Sequence, residues 1–458
     1  MNEDDHRDNP FVGLRPFFDK DSFYFFGRNE QVTELLELLH TTHFVPVLGG
    51  SGSGKSSLVR AGLIPTLRAG FMVAERDGWR MAKCLPGDAP IENLAEALLR
   101  AVGVERTPVL VNALATHIRE DFDDAVIEVL RPHLTAQESV LILVDQFEEL
   151  FAFRSAAGAG SDDELDAAPD AARTADRLRR RRDSSLLVAV LLALAERTDV
   201  PVYVVTTMRT DFLGDCDVFT GLPEAINRSG YLVPRLTRAQ LRSTIEGPAR
   251  LVGARAAPRL VDRILNDVGD RMDRLPLMQH ALLRTYEAWK DAGMMGPIDL
   301  ADLDMIGGLD GALNVQAEAT IADIDPKVAE RVFKRLTTTD KSLRRVRHPT
   351  RLSDLRAVVG RENEVGLMTL LDRCVSEGTN FMFASPDGQP NNPRYDITHE
   401  SLIRQWSRLR TWVDEEQVQR DWYVGVASRA ALYASDPDTG LMSARDLRIA
   451  DEVLRERQ

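Results

Sequence analysis

Phe44-Val-Pro-Val-Leu48, Gly49-Gly-Ser-Gly-Ser-Gly54 and Lys55-Ser56-Ser57 decide the fold: an apolar run, a glycine-rich turn and the opening of a helix. The apolar run reads as a buried strand, and residues 55 to about 67 read as a helix. The turn satisfies G-x-x-x-x-G-K-S/T in the strand-to-helix setting that gives this pattern its meaning. Glycines let backbone N–H groups close around phosphate oxygens with no Cβ in the way, and the helix N-terminus adds partial positive charge. Gly49, Gly50, Ser51, Gly52, Ser53 and Gly54 are therefore expected to cradle a nucleotide phosphate chain. Lys55 should reach the β and γ phosphates and Ser56 should offer its hydroxyl to Mg2+, while Ser57 lies close enough to join or to pack and cap.

Working outward, further strands are expected at 79–84, 140–144, 202–206 and 231–233, with helices at 91–102, 124–130 and 186–196 between them. Strands alternating with helices predict an α/β P-loop fold with a parallel, doubly wound sheet. The strand signal ends near residue 236, and helices dominate from 239–251 and 277–289 onward. Helices at 327–336 and 364–376, then two short strands at 381–384 and 394–397, suggest a winged helix. The expected organisation is a nucleotide-binding domain over 1–236, a helical domain over 237–308, a winged-helix domain over 309–416 and a helical segment over 417–458.

Val140-Leu-Ile-Leu-Val144-Asp145 is an apolar run ending in a carboxylate, the arrangement that supplies a second Mg2+ anchor at the end of a neighbouring strand. Glu148 and Glu149 follow, and one of them can polarise an attacking water as general base, Glu148 being preferred. Acids there can equally sit at a helix start for the sake of its dipole. After the strand at 202–206, Arg209 stands at a third strand terminus, where ligands collect in open α/β sheets; it either reads the γ-phosphate or pairs with a nearby acid.

Composition bounds the rest. With 57 Lys+Arg against 71 Asp+Glu, the net charge is −14, which opposes a general polyanion-binding surface and makes DNA an unexpected partner. Cys84, Cys216 and Cys374 are far apart, which indicates neither disulfide nor zinc and suggests a reducing, cytoplasmic setting. The apolar run 186–195 is about half of the roughly 20 residues a membrane span requires, so a buried helix is expected and no membrane span. Residues 155–183, acidic and then basic through Arg177–Arg182, read as a solvated loop. A second basic cluster gathers Lys341, Arg344, Arg345, Arg347 and Arg351.

Several motifs in order resemble the bacterial STAND signal-transducing NTPases, specifically the group with a GLRPF…FFGR opening. They are Gly13–Phe17, Phe25–Arg28, the P-loop with Ser57-Leu-Val-Arg-Ala-Gly-Leu63 behind it, Asp145–Glu149, Thr206–Leu213 and Thr398–Trp406. The resemblance implies a module that closes over ADP at rest and opens when ATP replaces it, with slow hydrolysis and self-assembly on activation, in signalling or antiviral defence. It further implies that Arg28 lies near the nucleotide, that Arg209 is a sensor arginine and that His399 contacts the ADP β-phosphate. Pro276 would pack on the base, although Arg274-Leu-Pro-Leu277 departs from the family's Gly-x-Pro. The family usually joins this module to a sensor or effector, so an unidentified protein trigger is implied. A DNA-binding AAA-type initiator or transcription regulator, also built from P-loop and winged helix, is the competing expectation.

Overall fold

A computed structural model describes residues 9–70, 78–151, 171–269, 274–339, 345–385, 391–435 and 448. The chain divides into two compact units, one from the N-terminus to Ala312 with 386–391, the other comprising Leu313–Ser385 and Asn392–Gln458.

The first unit is organised by β1 (Phe44–Gly49), β2 (Gly78–Cys84), β3 (Glu138–Val144), β4 (Val202–Arg209) and β5 (Tyr231–Leu232). They form one sheet in the order β2-β3-β4-β1-β5, with every pairing parallel. Parallel strands need crossover connections, and the helices that supply them cover both faces. Strand alternation sorts the residues: Val140, Ile142 and Val144 pack on one side with Val202 and Val204, whereas Leu141, Leu143, Tyr203 and Val205 face the other. On the first side lie α4 (Pro90–Val102), α5 (Pro108–Leu130) and α6 (Ala171–Glu196), through side chains such as Leu98, Ile118 and Leu191. On the second lie α1 (Asn29–Thr42) and the helical segment after the glycine-rich turn, made of α2 (Lys55–Ser57), a π-helical turn Leu58–Leu63 and α3 (Ile64–Arg68).

Three expectations change here. β4, not β3, is the strand beside β1, so the run ending in Asp145 is one strand removed from the turn. β4 itself continues past the expected end at Thr206 to Arg209, which brings Thr207 into the sheet, almost wholly buried. Arg177–Arg182 are helical within α6 rather than in a loop, because arginine is a good helix former and local partners hold the segment. Asp183 is buried against Arg119 at 2.7 Å, and Arg180 pairs with Asp176 and Asp88. Residues 152–170 of that stretch lie outside the described residues.

α7 (Leu222–Ser229) precedes β5, and after β5 come four helices that pack together, α8 (Arg238–Leu251), α9 (Pro258–Val268), α10 (Leu275–Asp291) and α11 (Leu300–Met305). Their shared core holds Ile245, Ile264, Met278, Leu282 and Leu303, and Phe11 from the N-terminal segment joins it beside Tyr286.

The second unit takes most of α12 (Gly308–Ile321), then α13 (Pro326–Arg335), β6 (Thr337–Thr339), β7 (Arg345–Arg347), β8 (Thr350–Arg351), α14 (Leu352–Val359) and α15 (Glu364–Val375). β9 (Met382–Ser385), β10 (Arg394–Ile397), α16 (Ser401–Gln405) and α17 (Ser407–Ser435) complete it. β10 lies between β8 and β9 in an antiparallel sheet, and Trp406 packs edge-on against Phe333 at 4.8 Å. Of the second basic cluster, Lys341 and Arg344 lie outside the described residues. Arg345 pairs with Asp414, and Arg347 with Asp396 at 2.6 Å, so these charges are met within the unit. Among the described residues no helix is long and apolar enough to cross a membrane.

Candidate functional site

The turn between β1 and α2 has the backbone its glycines permit. Gly52 and Gly54 take φ of 77° and 88°, in the left-handed region where a side chain is strained, and Gly54 leads directly into Lys55. Lys55 is 9% exposed and donates to the carbonyls of Gly49 and Gly50, each at 2.9 Å, so the ammonium bridges the two ends of the loop. Burial lowers its pKa; the carboxylates of Glu148 and Asp145 support the charge and Arg209 opposes it. Ser53 is fully buried and its hydroxyl has no hydrogen-bond partner.

Asp145, 2% exposed at the end of β3, is the meeting point of the site. Its Oδ1 accepts from Ser56 Oγ at 2.8 Å and from the hydroxyl of Thr207, while its Oδ2 pairs with Arg60 at 2.7 Å. Thr207 also accepts from the Gln146 amide at 3.1 Å, and Gln146 turns to a φ of 55°. Thus the intervening strand β4 supplies the link between the turn and β3. Thr207 is expected from the sequence only as a hydroxyl at the third strand terminus beside Arg209, and Arg60 is not an expected site residue. The signal was there in part, since Arg60 stands four residues after Ser56 and so shares its helix face.

Ser56 and Asp145 bring hard oxygen donors together, which fits Mg2+, an ion held by one or two protein side chains plus phosphate oxygens. Among the described residues no group of three or more His, Cys, Asp or Glu side chains gathers as an all-protein metal cage.

The two glutamates separate. Glu148 Oε2 accepts from the Arg209 amide at 3.3 Å and its carboxyl is pushed up by burial against the opposing pull of Lys55. Glu149 Oε2 instead accepts from the Gly87 amide at 2.8 Å, in the connection after β2. Arg209 is level with Gly49 in the β1–β4 register, so it stands where the glycine-rich turn begins. Its guanidinium donates to Asp211 at 2.7 Å and lies over Phe212.

Arg28 is 4% exposed and ties the N-terminal segment to the turn, donating to Ser53 O at 3.2 Å and to Pro234 O at 2.8 Å. Burial brings its pKa down to about 10. The preceding Phe26-Gly27 is dictated by close packing, because a Cβ on Gly27 would stand 2.7 Å from Gln240 O. Ser57 turns away from the turn's interior and accepts from the Phe17 amide at 3.1 Å, which is a packing contact with the N-terminal segment. Pro276 occupies the first turn of α10, half-buried behind the N-cap Arg274. His399 belongs to the second unit. The amide and hydroxyl of Ser401 lie 3.1 and 2.8 Å from its Nδ1, so Nδ1 is the acceptor and the neutral ring carries its proton on Nε2.

The family described as Novel STAND NTPase 1 matches the chain over residues 10–439. No curated protein matches it. Among solved structures the chain is similar to the ORC2 protein of Aeropyrum pernix, at 13% identity over 85% of this chain and 95% of that one, with a TM-score of 0.41. It is similar to Cdc6p of Pyrobaculum aerophilum at 14% identity over 85% and 94%, TM-score 0.35. A Walker-type ATPase of Pyrococcus abyssi is similar at 15% identity over 86% and 99%, TM-score 0.37.

Proposed function

The chain belongs to the Novel STAND NTPase 1 family, and on that premise we propose a conformational switch run by ADP and ATP, with slow ATP hydrolysis, in bacterial signalling or antiphage defence. The observation that carries the reading is the hydrogen bond from Ser56 to Asp145 beside the bridging ammonium of Lys55. Two oxygen donors and one cation stand at the mouth of a loop whose amides are free of Cβ obstruction. Bound Mg2+ would supply charge neutralisation for a triphosphate there.

The residues then divide the work. Lys55 exchanges its two carbonyl contacts for phosphate oxygens, a trade of neutral acceptors for anionic ones. Glu148, whose raised pKa favours taking up a proton, serves as base toward a water. Arg209, level with Gly49, reports whether the outermost phosphate is present. Helices α13, α14 and α15 with the β8-β10-β9 sheet support reading the second unit as a winged helix. In it His399 offers an Nε2–H donor to the β-phosphate of ADP in a closed state. Pro276 packs on the adenine, and three free, buried thiols suit a cytoplasmic setting. The ATP-bound form assembles with itself and with a protein trigger or effector.

Mass spectrometry of nucleotide released from freshly purified protein tests this directly. Retained ADP is expected, with calorimetric binding of ADP and ATP that Lys55→Ala abolishes. Folded protein that takes up neither nucleotide would end the proposal.

A further inference from the structure

Arg60 lies one helical turn beyond Ser56, and both point at the same carboxylate. Ser56 meets Oδ1 of Asp145 at 2.8 Å and the Arg60 guanidinium meets Oδ2 at 2.7 Å. An almost wholly buried carboxylate needs a nearby positive charge, and Arg60 provides it. Mg2+ at Ser56 and Asp145 would provide the same compensation, so the guanidinium and the metal are alternatives for one anion.

Arg60 has a second, softer contact beside the carboxylate. Its Nε is buried with no hydrogen-bond partner, and its guanidinium rests 5.3 Å from the centroid of the Phe18 ring, which Arg15 also faces at 5.5 Å. A cation leaving Asp145 therefore retains an aromatic face to rest on. Its side chain is 20% exposed against 2% for Asp145, so the guanidinium is the partner with access to water.

From this geometry we infer that Arg60 is the resident counter-ion of Asp145 and sets how strongly Mg2+ tightens nucleotide binding, by competing with the metal for that carboxylate. The inference rests on the nucleotide-switch reading and adds an internal competitor to it. A nucleotide arriving without metal leaves the Arg60–Asp145 pair intact, whereas the metal complex must displace it.

The test is a fluorescence titration of the full chain with mant-ADP, with and without Mg2+, the readout being the ratio of the two affinities. Arg60→Gln is expected to enlarge that ratio by on the order of tenfold, the equivalent of ~1.4 kcal/mol of competition removed. Arg60→Met, which keeps the apolar stem against Phe18, should do the same and serves if the glutamine variant does not fold. Arg60→Lys keeps the charge and should stay near wild type. Neutral variants with an unchanged or smaller ratio, or a lysine variant that behaves like glutamine, overturn the inference. Asp145→Asn distinguishes the two levels: it should bring the ratio close to one. Wild type that binds mant-ADP with an Asp145-dependent ratio, but is matched by the neutral variants, sinks the Arg60 role alone. Wild type that binds no mant-ADP sinks the switch reading and this inference together.

Discussion

Ser56 donates its hydroxyl to Oδ1 of Asp145 at 2.8 Å across 89 residues of sequence, from the helix after the glycine-rich turn to the end of β3. Because Thr207 and Arg60 hold the same carboxylate, the two Ser56 and Asp145 substitutions should differ in kind. Ser56→Ala removes one hydrogen bond and should cost ~1 kcal/mol of stability. Asp145→Asn leaves the Arg60 guanidinium without its counter-charge and should cost ~3 kcal/mol. Urea unfolding of both variants checks the order, and equal losses would mean that Arg60 does not depend on Asp145.

Glu148 and Glu149 are adjacent in sequence but make different contacts. Glu148→Gln should lower phosphate release by roughly a hundredfold while nucleotide binding persists, in the range a positioned general base contributes. Glu149→Gln, which loses a bond to the Gly87 amide, should act mainly on stability. Burial raises the Glu148 carboxyl, so hydrolysis should climb with pH through a midpoint above the ordinary carboxylate range. A flat profile through that region, or a larger rate loss at Glu149, would reassign the base.

The legible part of the site is the part written contiguously. Gly49–Ser56 declares itself because loop, lysine and serine are consecutive, and Val140–Asp145 because burial on both faces makes a parallel strand uniformly apolar. Thr207 lies one residue past the expected strand end at Thr206; in β4 its hydroxyl is buried and donates to Asp145, a partner on another strand that no local pattern announces. Strand order is likewise set by crossovers rather than by any local pattern, so nothing in the residues put β4 between β1 and β3. Arg177–Arg182 read as loop because its charge is so dense, yet Asp183, Asp176 and Asp88 pair with nearby arginines and the helix closes over an apolar continuation.

His280, on α10, is 1% exposed, and burial together with Arg284 pushes its pKa down to about 4 from 6.5. The unfolded chain therefore binds the extra proton over pH 4 to 6.5 and the folded chain does not, so stability falls as pH drops through that window. Between pH 7 and pH 5 this group should remove ~2 kcal/mol. His280→Gln should flatten that part of the melting curve against pH; an unchanged slope would show that other groups carry it.

Arg347 and Asp396 bear on the question of DNA. Asp396 is buried, its carboxyl pushed up by burial, and Arg347 is the partner that opposes that rise most. Arg347→Ala should destabilise the second unit by ~3 kcal/mol, since it leaves a buried carboxylate unpaired. If the positive charges of this region are structural, duplex binding measured at several salt concentrations should be weak, and Arg345→Glu should leave its salt slope unchanged. A slope that falls by about one on removing a single arginine would instead mark a phosphate contact.

His399 presents two roles that one substitution confuses and a second separates. Its Nδ1 accepts from the Ser401 amide and so caps the start of α16, while the neutral ring carries its proton on Nε2. His399→Ala removes both, with ~1 kcal/mol of capping stability at stake. His399→Asn restores an acceptor near the Ser401 amide but brings no equivalent of the Nε2–H donor. If the imidazole contacts ADP in the closed state, both variants should release bound mant-ADP at least tenfold faster, although only the alanine variant melts earlier. If the asparagine variant retains ADP as wild type does, the role of His399 is local to the second unit and its ring makes no ADP contact.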